Sequence, residues 1–415
     1  MNDLSLPLGS AAAIPPPARA RFTGTASAFR RLIVRGALLQ VITAGIYRFW
    51  LTTDARRFLW ANTEIGGESL EYTGTAMELF LGFLIAIALL VPVYVLFFLG
   101  TLELGLVSQL SSFGAFLFLA VFGQYAYYRA RRYRLTRTVY RGLRFHQSGS
   151  PFSYALRSLL WWILTLITLG LVYPWMAASL ERYKLAHTHY GDLNGKFAGT
   201  GTSLFLRGIG LWLLAVVALL AIGGLGAYLA KLGVFPRPGQ TRGLTPQVTA
   251  AVVAMGAAGL LLYVVAFVVY TGLQAITMKW WLAGLRFGPI AAATTLKKRR
   301  IIGAYGRLLG YALLALIVAG LLAGMAAGLT GVIAKANKDT MQVIGLSVTI
   351  PMYLALAVSI WVIYQMAIRL RIWRLCVDSI TLTGFEAVQD VRADASLPSS
   401  AVGEGLADAL GAGGI

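Results

Sequence analysis

Six long apolar segments divide the chain, at residues 79–100, 104–128, 204–230, 248–278, 308–334 and 343–368. Each has at least the roughly 20 residues that an α-helix needs to cross about 30 Å of hydrocarbon. The pattern therefore predicts an all-α protein, a polytopic bundle of transmembrane helices.

Two further apolar segments, residues 32–51 and 158–178, are centred on Gly45 and Gly170 and carry aromatic residues near their ends. Each could span the membrane, or could enter and leave it on one side as a re-entrant segment. The distribution of charge decides how we count them.

The connection 129–157 carries eight Arg and no acidic residue, and the connection 279–307 carries seven Lys or Arg and no acidic residue. Both clusters should face the cytoplasm, because short cytoplasmic loops are rich in basic residues. They lie on one side only if segment 158–178 does not span. We therefore expect six long spans plus two glycine-centred re-entrant segments, and eight full spans is the alternative.

The composition agrees with a membrane protein. Hydrophobic residues make up 58% of the chain and charged residues 13%, whereas soluble domains carry about 25% charged residues. The formal charge of +20 lies mainly between the apolar segments, which is typical of topogenic charge beside anionic lipid headgroups and not of nucleic-acid binding. A single cysteine, Cys376, excludes an intrachain disulfide.

An internal repeat relates the two glycine-centred segments. At a shift of 125 residues, 14 of the 43 positions from 39 to 81 are identical, and most of these are polar, aromatic or glycine. The repeat predicts three membrane units, at residues 22–144, 145–274 and 275–389, of which the third is degenerate. We expect residues 1–21 to be a disordered leader and residues 390–415 a disordered tail.

The repeat signature has the form Thr-x-Gly-x-x-x-x-Trp followed by a basic-aromatic stretch. Its residues are our candidate structural or functional sites: Thr43, Gly45, Trp50, Arg57 and Thr63 in the first unit, and Thr168, Gly170, Trp175, Arg182 and Thr188 in the second. We expect the glycines to bend the segments, the tryptophans to anchor them at the interface, and the arginines to bind phosphates or the bundle.

These residues carry a family resemblance. With Tyr47, Arg56, Phe58, Asn62 and Pro174, the signature resembles that of the YjgN-like family of bacterial inner-membrane proteins, over roughly residues 21–387. The resemblance implies a multi-pass protein of the bacterial inner (cytoplasmic) membrane. It implies no reaction, because the family is classed as a domain family of unknown function.

The last third of the chain lacks the signature but has a row of glycines. Gly320, Gly324 and Gly328 are spaced four residues apart on one helix face. Such spacing predicts a close helix contact, within the monomer or in a homo-oligomer.

No motif for catalysis or metal binding is present. The sequence has no nucleophile elbow, phosphate-binding loop or paired catalytic carboxylates, and His187, His189 and Asp192 lack zinc-ligand spacing. The six long segments contain no acidic residue, so ion coupling is not favoured. We expect neither an enzyme nor a bound cofactor or metal.

Two functional hypotheses remain. The first is a transporter or channel for a small or amphipathic solute, because glycine-broken repeated segments resemble the discontinuous helices of transporters. The second is a non-transporting membrane scaffold or envelope-associated protein that acts through lipid or protein partners. Under both, we expect anionic lipid headgroups at the basic-aromatic stretches.

Overall fold

The structure is a computed structural model that describes residues 17–102, 105–233, 245–334 and 338–391. Most of the predicted leader and tail lies outside the described residues. The first element, strand β1, begins at Ala18.

Eleven helices are present in the described part of the chain, and three pairs of them are long. The short pairs are α1 (Ala26–Ile42) with α2 (Arg48–Ala61), and α5 (Pro151–Ile167) with α6 (Tyr173–Ala186). The long pairs are α3 (Ala76–Leu102) with α4 (Leu106–Thr136), α7 (Gly201–Lys231) with α8 (Pro246–Gly284), and α9 (Lys298–Ala334) with α10 (Lys338–Tyr364). The last pair continues through a π-helical turn (Gln365–Leu370) into α11 (Arg371–Val377).

The six predicted spans are confirmed. Six helical stretches in the described residues are long and apolar enough to cross a membrane: Ala76–Leu102, Leu106–Thr136, Gly201–Lys231, Pro246–Gly284, Lys298–Met325 and Ile350–Val377.

The prediction of an all-α fold is wrong, because the connections between helices form one antiparallel sheet. Its strands are β1 (Ala18–Phe22), β2 (Thr63–Ile65), β3 (Glu68–Ser69), β4 (Glu71–Tyr72), β5 (Thr138–Tyr140), β6 (Leu143–Gln147), β7 (Thr188–Tyr190), β8 (Leu193–Phe197), β9 (Leu285–Phe287), β10 (Ile290–Thr294) and β11 (Ile380–Thr383). Each has only two to five residues, too few for a clear alternating pattern. In β5 all three residues are buried, so no alternation exists there to be found.

The sheet closes on itself into a near-barrel. Its order is β3-β2-β1-β11-β10-β9-β8-β7-β6-β5-β4. Its two outer strands, β3 and β4, are almost continuous in sequence, so the stretch from Glu68 to Tyr72 pairs with β2 on one side and β5 on the other. Closure leaves no long sheet edge open to another chain.

Each helical pair starts and ends on neighbouring strands of this sheet. The pair α1–α2 lies between β1 and β2, and α5–α6 lies between β6 and β7. Helices of 17 and 14 residues extend only about 26 and 21 Å at 1.5 Å per residue. Each short pair is therefore a helical hairpin that begins and ends at the sheet, the shape that we expected of a re-entrant segment.

The inside of the near-barrel is filled with side chains. A 3₁₀ segment after β11, Phe385–Val388, contributes Phe385 and Val388 to this lumen core. Tyr140 and Tyr190 are each 4% exposed there, and each donates a hydrogen bond to a backbone carbonyl. Burial raises the pKa of Tyr190 to about 12, so this side chain stays uncharged even in moderately alkaline solution.

Candidate functional site

The two signature turns have the same backbone geometry. The Thr43 hydroxyl donates to the Leu39 carbonyl and accepts from the Tyr47 amide, and the Gly45 amide donates to the Gln40 carbonyl at 2.7 Å. Gly45 has a φ of 90°, in the region where glycine avoids the strain of a side chain. The helix thus ends, and the chain turns back, where the sequence predicted a bend.

The second hairpin repeats the arrangement. The Thr168 hydroxyl donates to the Leu164 carbonyl at 2.9 Å, and the Gly170 amide donates to the Thr165 carbonyl at 2.7 Å. Gly170 has a φ of 85°. The repeat in sequence is therefore a repeat of a helical hairpin.

The signature tryptophans pack against the next long helix. The ring centres of Trp50 and Phe80 are 6.1 Å apart, and those of Trp175 and Phe205 are 5.0 Å apart. Phe205 follows Phe80 by the same 125 residues that separate the tryptophans. Both tryptophans are partly buried, so each joins its hairpin to the following span.

The two signature arginines differ. Arg57 donates to the Gly74 carbonyl at 3.0 Å, so it holds the chain that leads into α3. Arg182 is exposed. Only Arg57 therefore serves the bundle in this way.

The signature threonines link helix ends to neighbouring elements. The buried hydroxyls of Thr63 and Thr188 donate to the carbonyls of Leu59 and Lys184, each at 2.7 Å. The Thr188 hydroxyl also accepts a hydrogen bond from Arg131 at 2.9 Å. These residues lie at the junction between helices and sheet, where buried polar groups need partners.

The glycine row does not pack within the described part of the monomer. Gly320, Gly324 and Gly328 are exposed, and a Cβ atom added at any of them would meet nothing within 4 Å. The predicted close contact inside the monomer is therefore absent from the described residues.

The histidines take part in hydrogen bonds at the sheet. His189 Nδ1 lies 2.6 Å from the Asn194 side-chain oxygen, and its Nε2 lies 2.9 Å from Ser148 Oγ. His187 Nδ1 lies 2.7 Å from the Tyr183 carbonyl oxygen. No group of three potential metal-ligating side chains occurs in the described ranges.

A cavity of about 630 Å³ lies beside the second hairpin. This hairpin cavity is bounded by α4, α5, α6 and α8. Trp162, which is 49% exposed, lines it, so the cavity is accessible from outside the bundle.

Two charged residues on α6 line the hairpin cavity. Lys184 Nζ and Glu181 Oε1 are 2.5 Å apart, and their side chains are only 9% and 19% exposed. Trp281 of α8 donates to the other carboxylate oxygen of Glu181 at 3.0 Å. The pair lies outside the six long apolar segments, so the lack of acidic residues in those segments gave no indication of it.

A signal for the pair was present in the repeat. At the 125-residue shift, Glu181 replaces Arg56 and Lys184 replaces Leu59. The pair is thus specific to the second hairpin and is not required for a hairpin of this kind.

A buried hydroxyl also lines the cavity. Ser158 is 0% exposed, and its Oγ has no hydrogen-bond partner among the described residues. An unpaired buried hydroxyl costs about 1–3 kcal/mol, so a hydrogen-bond acceptor that reached Ser158 would stabilise the protein.

A smaller cavity lies next to the hairpin cavity, at the turn of the hairpin. This tip cavity, of about 280 Å³, is lined by Gly170, Pro174 and Phe205 and shares Tyr173 and Thr277 with the first. The tip cavity has no charged residue in its lining. The two together are polar near the sheet and apolar towards the membrane interior.

Comparison with known proteins gives a family but no activity. Residues 17–327 match a family described as "Bacterial protein of unknown function (DUF898)". A stretch of 142 residues is 27% identical to the inner membrane protein YjgN of Escherichia coli O157:H7, and it covers 34% of this chain and 32% of YjgN. The chain thus aligns with about a third of that relative's length. No solved structure matches significantly.

The match spans most of the chain, and the signature hairpins and five of the six spans lie entirely within it. The chain therefore belongs to the DUF898 family of bacterial proteins, is similar to YjgN, and is a multi-pass protein of the inner membrane whose activity is unknown.

Proposed function

We propose that the protein binds an amphipathic molecule of the membrane-lipid type, which enters the hairpin cavity from the bilayer. The observation that carries this proposal is that the two cavities are adjacent and share Tyr173 and Thr277, with Glu181 and Lys184 in the lining of one and no charged residue in the lining of the other. A molecule with a polar head and an apolar tail matches that gradient.

The depth of the cavity fits such a ligand. Lys184 lies on the last turn of α6, four residues before β7, whereas Leu119 lies about 28 Å along α4 from β5. The lining therefore extends from the level of the sheet, where headgroups are expected, deep into the hydrocarbon region.

The filled lumen favours lateral entry over a central pore. The centre of the near-barrel is occupied by packed side chains, which include Phe385, Val388, Tyr140 and Tyr190. A hydrated path through this apolar core would require its side chains to separate. We therefore favour the handling of an amphipathic solute over the conduction of a hydrated ion.

Transport of that molecule is the stronger of our two functional hypotheses. Re-entrant backbone that lines a cavity at membrane depth is a feature of transporters. A non-transporting scaffold that holds a structural lipid would have the same cavity, so a measurement of movement separates the two.

A basic surface on the first hairpin is a second place for lipid contact. Arg30, Arg31 and Arg35 are exposed, and they line a groove together with Val34 and Leu38. We propose that this surface binds anionic headgroups at the membrane boundary.

Two measurements test the proposal. Lipids retained through purification in detergent are identified by mass spectrometry, and movement of a labelled lipid or amphipathic solute is followed in proteoliposomes. Ala177→Trp fills the cavity and should abolish retention and movement. Ala221→Trp, at an exposed position on α7, is the matched control and should change neither.

Retention without protein-dependent movement would favour the scaffold. Equal retention in both variants would overturn the proposed site.

A further inference from the structure

We infer that the ligand of the hairpin cavity carries a zwitterionic headgroup, with a phosphate and an ammonium group, and that the Glu181–Lys184 pair selects it. This inference rests on the proposed function. It names the class of molecule that the same cavity takes.

The charge of the lining is balanced. Among the described residues that line the cavity, Glu181 and Lys184 are the charged ones, and their charges sum to zero. A ligand with one net charge would leave a charge uncompensated in a poorly solvated site, which is costly. A zwitterion brings one charge of each sign and leaves the total at zero.

The lining offers binding partners for both the phosphate and the ammonium group of such a headgroup. A phosphate would accept hydrogen bonds from Lys184 and from the side-chain amide of Gln124, which both line the cavity, and a small shift of α5 would add the unpaired Ser158 hydroxyl beneath them. An ammonium group would meet the Glu181 carboxylate and the aromatic faces of Tyr127 and Trp281, which attract cations. Lys184 Nζ already lies 5.4 Å from the centre of the Tyr127 ring, so a cation is accommodated there.

The residues around the Glu181–Lys184 pair leave it accessible to a ligand. Arg131 lies within electrostatic range of Glu181, but it donates to Gln147 and Thr188 and does not line the cavity. Trp281 holds the carboxylate by one oxygen. An incoming ammonium group can therefore exchange with Lys184 at the other oxygen while Lys184 turns to the phosphate.

The first hairpin provides a contrast. Its counterpart of Glu181 is Arg56, which is 1% exposed and donates to the Tyr72 hydroxyl at 3.2 Å. Its counterpart of Lys184 is Leu59, which is fully buried. The hairpin therefore forms without a carboxylate or an amine at these positions, which leaves the pair on α6 available for binding.

The test uses the full-length protein in detergent, with lipids of identical acyl chains that carry phosphoethanolamine, phosphocholine or phosphoglycerol headgroups. Native mass spectrometry counts bound lipid, and a brominated acyl chain quenches tryptophan fluorescence at the site. We expect the wild-type protein to prefer a zwitterionic headgroup to phosphoglycerol by at least about tenfold in Kd. Glu181→Gln should remove that preference, and Lys184→Met should weaken the binding of every class.

Glu64→Gln, on β2 and outside the cavity, is the control and should keep the wild-type preference. The preference of the wild-type protein alone decides the inference if a variant of the pair fails to fold. Equal or stronger binding of phosphoglycerol by the wild-type protein overturns the inference and leaves the proposed function standing. If Ala177→Trp reduces the binding of none of the three lipid classes, both the inference and the proposed function are overturned.

Discussion

The indole nitrogen of Trp373 donates a hydrogen bond to the Thr63 hydroxyl at 3.0 Å, which joins α11 to the start of β2 across 310 residues of sequence. Trp60 of α2 makes a similar contact, in which its indole nitrogen donates to the Thr138 hydroxyl of β5 at 3.0 Å. The rings of Trp373 and Trp60 are 4.9 Å apart. The last helix thus closes the ring of helices and strands onto the first hairpin.

Removal of this closing bond should destabilise the protein. Trp373→Phe and Thr63→Val should each lower the melting temperature in detergent, and a double-mutant cycle should give a coupling free energy of about 0.5–1.5 kcal/mol. Trp162→Phe, at a partly exposed position, is the control and should have little effect. Strictly additive effects would mean that the bond does not contribute.

The topology can be tested by cysteine accessibility. Lys298 and Arg374 are exposed and lie next to β10 and β11, and Arg132 lies one turn before the end of α4 and close to β5. In a protein whose native Cys376 has been replaced, cysteines at these three positions should resist a membrane-impermeant thiol reagent in intact cells and react after permeabilisation.

Leu232, at the other end of α7 and 58% exposed, provides the positive control, because a cysteine there should react in intact cells. Labelling of Lys298→Cys but not of Arg132→Cys in intact cells would support an odd number of spans between them and contradict the shared sheet.

The hairpin glycines should tolerate substitution poorly. Gly45→Ala and Gly170→Ala force a side chain into a positive-φ conformation and should each destabilise the protein by about 1–3 kcal/mol. Open space surrounds Gly45, so the loss would come from the backbone. Gly223→Ala, within α7 where a Cβ also meets nothing within 4 Å, is the control and should leave the melting temperature unchanged or raise it.

The glycine row of α9 should tolerate a large residue. Gly324→Leu should leave the melting temperature of the monomer unchanged, because a Cβ atom there would meet no described residue within 4 Å. Gel filtration and crosslinking of the same variant test whether this face joins two copies, which would appear as a loss of oligomer. A lower melting temperature of the monomer would mean that the row is covered by the chain itself.

High pH should destabilise the near-barrel. The pKa of Tyr190 is raised by burial to about 12, and that of Tyr140 is also raised, chiefly by burial. The folded protein therefore holds these protons more tightly than the unfolded chain, whose tyrosines titrate near pH 10. The contribution of these two tyrosines to the free energy of unfolding is fully present below about pH 10 and is lost as the pH rises towards 12.

Melting temperature measured against pH, with tyrosinate absorbance as a second signal, checks this prediction. Tyr190→Phe should reduce the alkaline loss, whereas Tyr94→Phe, at a position 65% exposed on α3, should not. An identical alkaline loss in Tyr190→Phe would place its cause elsewhere.

The sequence by itself determined the six spans, because the length and hydrophobicity of a segment are local properties. It also determined the two hairpins, because a glycine at positive φ and a threonine that bonds to the end of its own helix leave a local signature at Gly45 and Thr43, repeated at Gly170 and Thr168.

Only the tertiary structure decided the sheet and the cavity. The strands are short, and their partners lie far apart in sequence, as where Ala18 of β1 pairs with Leu382 of β11. Likewise, Glu181 and Trp281 are 100 residues apart and meet at 3.0 Å. The sequence contains the Glu181–Lys184 pair, but its burial depends on the packing of α8 against α6, which no local pattern encodes.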